Sequence, residues 1–136
     1  MPTRKFSGRL DNLEKICVFV TRAARQAGLD ERQVYAVQLA VDEAATNIIE
    51  HGYRGSGKGD LVISCEAQED GLQVTLHDHA PPFVPDEVPD PVTDVPLDEL
   101  KSRGLGVSLM RKMMDEVHYH FDPDHGNTLT MVKRKG

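Results

Sequence analysis

Apolar residues recur along this chain first at helical spacing and then in alternation. Leu13, Ile16, Cys17, Val20, Ala23, Ala24 and Ala27 fall on one side of a 3.6-residue helix. Asp11 is placed to cap its start, and Gly28 to stop it. A second stripe, formed by Val34, Val37, Val41, Ala44, Ala45, Ile48 and Ile49, predicts a helix opened by Asp30 and closed by Gly52. Gln33 stands where a capping box with Asp30 requires it. Ahead of both helices, Arg4 to Leu10 reads as a short strand with weak alternation.

The second half is richer in strands. Leu61 to Ala67 and Leu72 to His77 are β-rich runs joined by Glu69-Asp70-Gly71, a hairpin signal. Five of the eight prolines lie between Pro82 and Pro96, so regular structure is not expected there. A loop of that length in a compact domain is usually a lid or binding loop, here about 84–103, with a helical turn near Leu97 to Leu100. Val107 to Met114 predicts a third helix that offers Leu109, Met110, Met113 and Met114 to the core. Glu116 to Phe121 and Thr128 to Lys133 predict two further strands, with a turn through Pro123 and Gly126-Asn127. Three helices and about five strands make an α/β two-layer sandwich: a mixed, mainly antiparallel sheet with helices on one face.

Composition narrows the classes. At 136 residues the chain is read as one domain over 1–136. A net charge of −6 without a basic block argues against direct nucleic-acid binding. No apolar run approaches the length of a membrane span or a signal peptide core. Cys17 and Cys65 lack metal-ligand spacing and read as buried thiols of a cytoplasmic protein. Gly52 to Gly59 imitates a phosphate-binding P-loop but has Gly59 in the Ser/Thr place. A helix also precedes it and a strand follows, the reverse of the required context.

The candidate chemistry lies at three places. Glu43 and Asn47 stand one turn apart on the second helix, about 40° apart around its axis, beside Ala36 and Ala40, which leave room for an approaching group. A carboxylate and a carboxamide so placed can hold a metal-bound oxygen and a reacting water; the same pattern also fits a solvated face. Asp78 closes a strand and could accept from an exocyclic amine such as that of adenine. Gly104 and Gly106 precede a helix whose free N–H groups could cradle phosphate oxygens. Lys101 and Arg103 flank the lid as possible phosphate partners or as solvated surface. His51 fits a helix-capping role. The paired histidines His77/His79 and His118/His120, with His125 or Cys65, admit a zinc reading without a compact ligand signature.

In order, Glu43-x-x-x-Asn47 with His51-Gly-Tyr53, Asp78-x-Ala80-x-Pro82-Phe83, Gly104-x-Gly106, and Gly126-Asn-Thr-Leu-Thr-Met-Val-Lys133 resemble the bacterial anti-sigma factor serine/threonine kinases over essentially the whole chain. These are small relatives of the ATPase domains of histidine kinases, gyrase and Hsp90. The resemblance implies a Bergerat, histidine-kinase-like ATPase fold that holds ATP and Mg2+ under a lid. It implies Glu43 as general base, Asn47 as magnesium ligand, and Asp78 as the group that binds the adenine amine. Gly104 and Gly106 would contact phosphates, and Ala80 and Thr128 would complete the nucleotide contacts. Ala80 departs from the family's usual glycine, and its methyl can crowd the base. The implied activity is phosphorylation of a serine or threonine on an anti-anti-sigma (STAS-domain) protein, with sequestration of a sigma factor, often by a homodimer. The alternative is a non-catalytic, ATP-binding partner-switch module.

Overall fold

The computed structural model describes residues 2–53, 59–80 and 105–136, with backbone alone at 51–52 and 105–108. In chain order it contains β1 (Thr3–Ser7), a 3-10 turn (Leu10–Asn12), α1 (Leu13–Gln26) and α2 (Glu31–Asn47). There follow β2 (Asp60–Gln68), β3 (Gly71–Asp78), α3 (Leu105–Met113), β4 (Glu116–Asp122) and β5 (Gly126–Arg134). The expected lid over 84–103, its turn at Leu97 to Leu100, and Pro82, Phe83, Lys101, Arg103 and Gly104 lie outside the described residues, as does most of the Gly55 to Gly59 turn.

The sheet order is β1-β2-β3-β5-β4, and all four neighbouring pairs are antiparallel. A mixed sheet was the expectation, and the difference has a topological cause. The passage from β3 through α3 leaves β4 running the same way as β3, but β5 inserts between them, so the parallel pair never forms hydrogen bonds.

Alternation assigns the two faces of the sheet. Ile63, Leu76, Leu129 and Tyr119 form one cross-strand row against the helices, and Cys65, Val74, Met131 and Val117 form the next. Ile16, Val20, Val37, Val41 and Ile49 supply the helical side of that core. The opposite face carries Ser64, Thr75 and Thr130, the polar side of a half-solvated antiparallel sheet.

The capping box at α2 forms as the sequence predicts. Asp30 Oδ1 accepts from Gln33 N at 2.8 Å, and Gln33 Oε1 accepts from Asp30 N at 2.9 Å. Gln33 Nε2 also donates to the Arg134 carbonyl at 3.2 Å, which pins the start of α2 to the end of β5. The start of α1 differs from expectation. Asp11 sits inside the 3-10 turn, where it takes a bond from Arg9 Nε at 3.3 Å. Asn12 precedes the helix, and its amide donates back to Ser7 O at 2.9 Å instead of capping. Strand β1 accordingly stops at Ser7, short of the expected Leu10.

Candidate functional site

The end row of the helix-facing side breaks the apolar pattern. Leu61, Asp78, Asn127 and Phe121 are cross-strand neighbours there. Asp78 is 4% exposed and Asn127 is 3% exposed, so two polar side chains close a row that otherwise belongs to the core. Asp78 Oδ1 accepts from Asn127 Nδ2 and from Ala80 N, each at 2.9 Å. The same Asn127 amide donates to Ala80 O at 2.9 Å. Burial pushes the Asp78 carboxyl above its ordinary range, opposed by the bonds from Asn127 and Ala80. Asn127 Oδ1 is buried and meets no donor among the described residues. Gly126 makes the close approach of β5 possible: its φ is +93°, and a Cβ there would stand 2.4 Å from Asp78 O.

Helix α2 delivers the second component. Its last turn, Ile48–Gly52, widens to π geometry and ends at Gly52 as expected. Tyr53 then donates to Asp60 O at 2.8 Å and accepts from His79 N at 3.1 Å. The C-terminal end of α2 is thereby tied to the same sheet end that carries Asp78. Glu43 and Asn47 lie near that end and are half-buried, accessible to a ligand without losing their place. Ala36 and Ala40 do not leave the open approach that the sequence suggested. They are 8% and 0% exposed. Helix α1 meets α2 around Cys17, Gln38, Val41 and Asp42, and α3 is the other helix packed along α2. Ala40 instead belongs to the buried core, and Ala36 is almost fully covered.

Helix α3 runs antiparallel to α2. Its C-terminal end is held at the far end of β5, where Lys133 Nζ donates to Met113 O at 2.8 Å and Asp115 N donates to Val132 O at 2.8 Å. That is also where α2 begins, at Gln33 and Arg134. The N-terminal turn of α3 therefore points toward the end that carries Glu43, Asn47 and Asp78. Gly106 is the second residue of α3, so its N–H is among the four that a helix leaves without an internal acceptor.

Other expected residues fall differently. Thr128 is on the opposite face of the sheet from Asp78, because its neighbour Asn127 takes the inward position. Thr128 Oγ1 instead lies 3.0 Å from His77 Nδ1. Ala80 is buried, with its N–H and C=O both engaged by the Asp78–Asn127 pair. The side chain of His51 lies outside what is described. His118 and His125 pair with Glu116 and Asp122, each at 3.0 Å. Among the described residues no group of three His, Cys, Asp or Glu is placed to hold a metal. Sequence reasoning passed over Asn127 as a turn residue. The signal was its phase: Asn127, Leu129 and Met131 share one face.

Known proteins agree with this architecture. Residues 6–133 match the histidine kinase-like ATPase domain family. The chain is 34% identical to an anti-sigma F factor of Bacillus licheniformis over 84% of its length and 80% of that protein's. It is 35% identical to an anti-sigma F factor of Bacillus cereus over the same shares. A solved structure of the RsbU and RsbW domains of Rv1364c from Mycobacterium tuberculosis superimposes with a TM-score of 0.63 at 12% identity, covering 98% of this chain and 32% of that one. The histidine kinase domain from the Erythrobacter litoralis blue-light activated histidine kinase follows at a TM-score of 0.58 and 14% identity, covering 92% of this chain and 60% of that one. Among the described residues no helix is long and apolar enough to cross a membrane. Fold, end-row polar pair and sequence identity coincide: the chain belongs to the histidine kinase-like ATPase domain family, in its anti-sigma factor branch.

Proposed function

We propose that the chain is an ATP-dependent anti-sigma factor kinase. In this reading it binds Mg-ATP, phosphorylates a serine or threonine on an anti-anti-sigma (STAS-domain) protein, and sequesters a sigma factor. The observation that carries the reading is the Tyr53 link, which ties the C-terminal end of α2, with Glu43 and Asn47, to the sheet end where Asp78 is buried. The similarity to anti-sigma F factors supports it.

Each residue has a task that its surroundings suit. Asp78, with both its bonds from described donors on Oδ1, keeps Oδ2 for the exocyclic amine of adenine. The N–H groups of the first turn of α3, Gly106 included, would face the triphosphate with the helix dipole favourably aligned. Asn47 offers a hard amide oxygen to magnesium, a donor type that suits this ion when phosphates complete its shell. Magnesium, when bound, supplies charge neutralisation at the phosphates. Glu43 accepts the proton of the attacking hydroxyl, which makes the oxygen a competent nucleophile toward the γ-phosphorus. Ala80 shapes the adenine turn through its backbone.

The test is phosphotransfer from γ-labelled Mg-ATP to an anti-anti-sigma protein. The wild type should label a serine or threonine on it. Glu43→Gln should retain ATP binding while transfer falls by about a hundredfold or more. Asn47→Ala should abolish the magnesium dependence of nucleotide binding. Binding without transfer would return the non-catalytic partner-switch module, and absence of binding would end the reading.

A further inference from the structure

We propose that His77 and His79 chelate a divalent transition-metal ion of the imidazole-binding class, Cu2+, Ni2+ or Zn2+, on the side of the sheet turned away from the helices. The two stand two positions apart at the end of β3, where the alternation of a strand brings i and i+2 to one side. Their ring centres are 5.0 Å apart. Two imidazoles that share one ion, each through a nitrogen about 2.0–2.1 Å from it, hold their ring centres about 5 Å apart at a near-tetrahedral angle. The pair therefore already has the spacing that a common ion requires. The rings now meet edge to face at 88°. His79 is exposed, so its ring has only to turn about its own side-chain bonds to aim a nitrogen at the shared point.

The surroundings hold both ligands in place. Thr128 Oγ1 lies 3.0 Å from His77 Nδ1. A hydroxyl that occupies Nδ1 fixes the ring and leaves Nε2 for the metal, the support that ligating histidines ordinarily have. The backbone of His79 is anchored as well, because its N–H donates to the Tyr53 hydroxyl at 3.1 Å. Its ring lies against Gly126, where a Cβ would come within 2.8 Å of Nδ1 and 3.1 Å of Cε1, so Nε2 is the less hindered nitrogen here too. Among the described residues no third His, Cys, Asp or Glu joins the pair, which leaves the remaining positions to water and makes the ion exchangeable. Two imidazoles favour Cu2+ over Ni2+ and Zn2+ and offer Mg2+ no oxygen. The other alternating pair is less suited, since Glu116 Oε1 lies 3.0 Å from His118 Nε2. The Asp78 side chain lies on the opposite face, so the site does not depend on the nucleotide reading.

Full-length protein, free of nucleotide and of any affinity tag, is titrated calorimetrically with CuCl2 and NiCl2. The wild type should bind a single Cu2+ per chain in the micromolar range, and Ni2+ more weakly. His79→Gln, a change at an exposed position, should weaken Cu2+ by about a hundredfold, because a linked second ligand is lost. Thr128→Val should weaken it by about tenfold through the orientation of His77 alone, and His118→Gln should leave it unchanged. Nitrogen hyperfine structure from two imidazoles in the Cu2+ resonance spectrum should fall to one in His79→Gln. Wild-type affinity in His79→Gln overturns the proposal. So does loss of binding in His118→Gln, which would place the ion on β4, and so does the absence of saturable Cu2+ binding by the wild type.

Discussion

Tyr53 accepts the backbone N–H of His79 at 3.1 Å, although the two residues lie 26 positions apart. Its hydroxyl also donates to Asp60 O at 2.8 Å, so one phenol joins the exit of α2 to the ends of β2 and β3. The phenol thereby ties the C-terminal end of α2 to the sheet end that carries Asp78. Tyr53→Phe keeps the ring and removes both bonds, and should cost about 1 kcal/mol in urea unfolding. It should also weaken ATP binding severalfold without altering Asp78 itself. An unchanged denaturation midpoint together with unchanged affinity would show that the link has no mechanical part.

The burial of Asp78 costs stability at neutral pH. Its carboxyl is raised by burial, so the native protein keeps a proton that the unfolded chain has already released. Stability contributed by this group therefore falls as pH rises from about 3.8 through the raised folded value, then levels off. Asp78→Asn retains an oxygen for Ala80 and Asn127 and has no charge to bury. It should lack that acid-side slope and unfold at higher denaturant than the wild type at neutral pH. The same variant presents a donor to the adenine amine and should bind ATP at least about a hundredfold more weakly.

Gly126 is a point of no tolerance. Its φ of +93° disfavours any side chain, and an added Cβ would lie 2.4 Å from Asp78 O and 2.8 Å from His79 Nδ1. Gly126→Ala should destabilise the fold by about 2 kcal/mol or more, read from the urea midpoint. Affinity for ATP should fall with it, since the clash displaces the strand that carries Asn127.

The two thiols should be poor nucleophiles. Burial pushes Cys65 up to about 12. Cys17 is raised by partial burial, with Asp42 and Glu14 adding to it and Arg25 opposing. Iodoacetamide at pH 8 should leave Cys65 unmodified and Cys17 slow in the native protein, with both alkylated in denaturant. Rapid native alkylation of Cys65 would contradict its place in the core.

Much of the fold was legible because its signals are local. The apolar stripe of α2, the Asp30–Gln33 box and the Glu69-Asp70 hairpin are each written within a few residues, and each appears where expected. The same locality explains the misses. Asp11 looked like a cap because the chain supplies a helix start beside it, but a 3-10 turn takes up Asp11, and the Asn12 amide bonds back to Ser7. Ala36 and Ala40 looked open because burial is set by the fold and not by the neighbouring sequence. That Asn127 and not Thr128 takes the inward position was hidden because the face of a strand depends on register, and one residue decides it. Glu43, Asn47 and Asp78 were singled out from residue type and order; the relation of Asp78 to Asn127 required the pairing of β3 with β5.

That pairing has a temporal consequence. Asp78 and Asn127 are separated by 49 positions, and β5 is the last strand of the sheet in chain order. On a ribosome, a nascent chain could complete β1 through β3 and both long helices while the carboxylate of Asp78 still lacked its amide neighbour. The Asp78–Asn127 pair should therefore close late in synthesis, after the bulk of the core has condensed, because long-range strand closure comes after local structure.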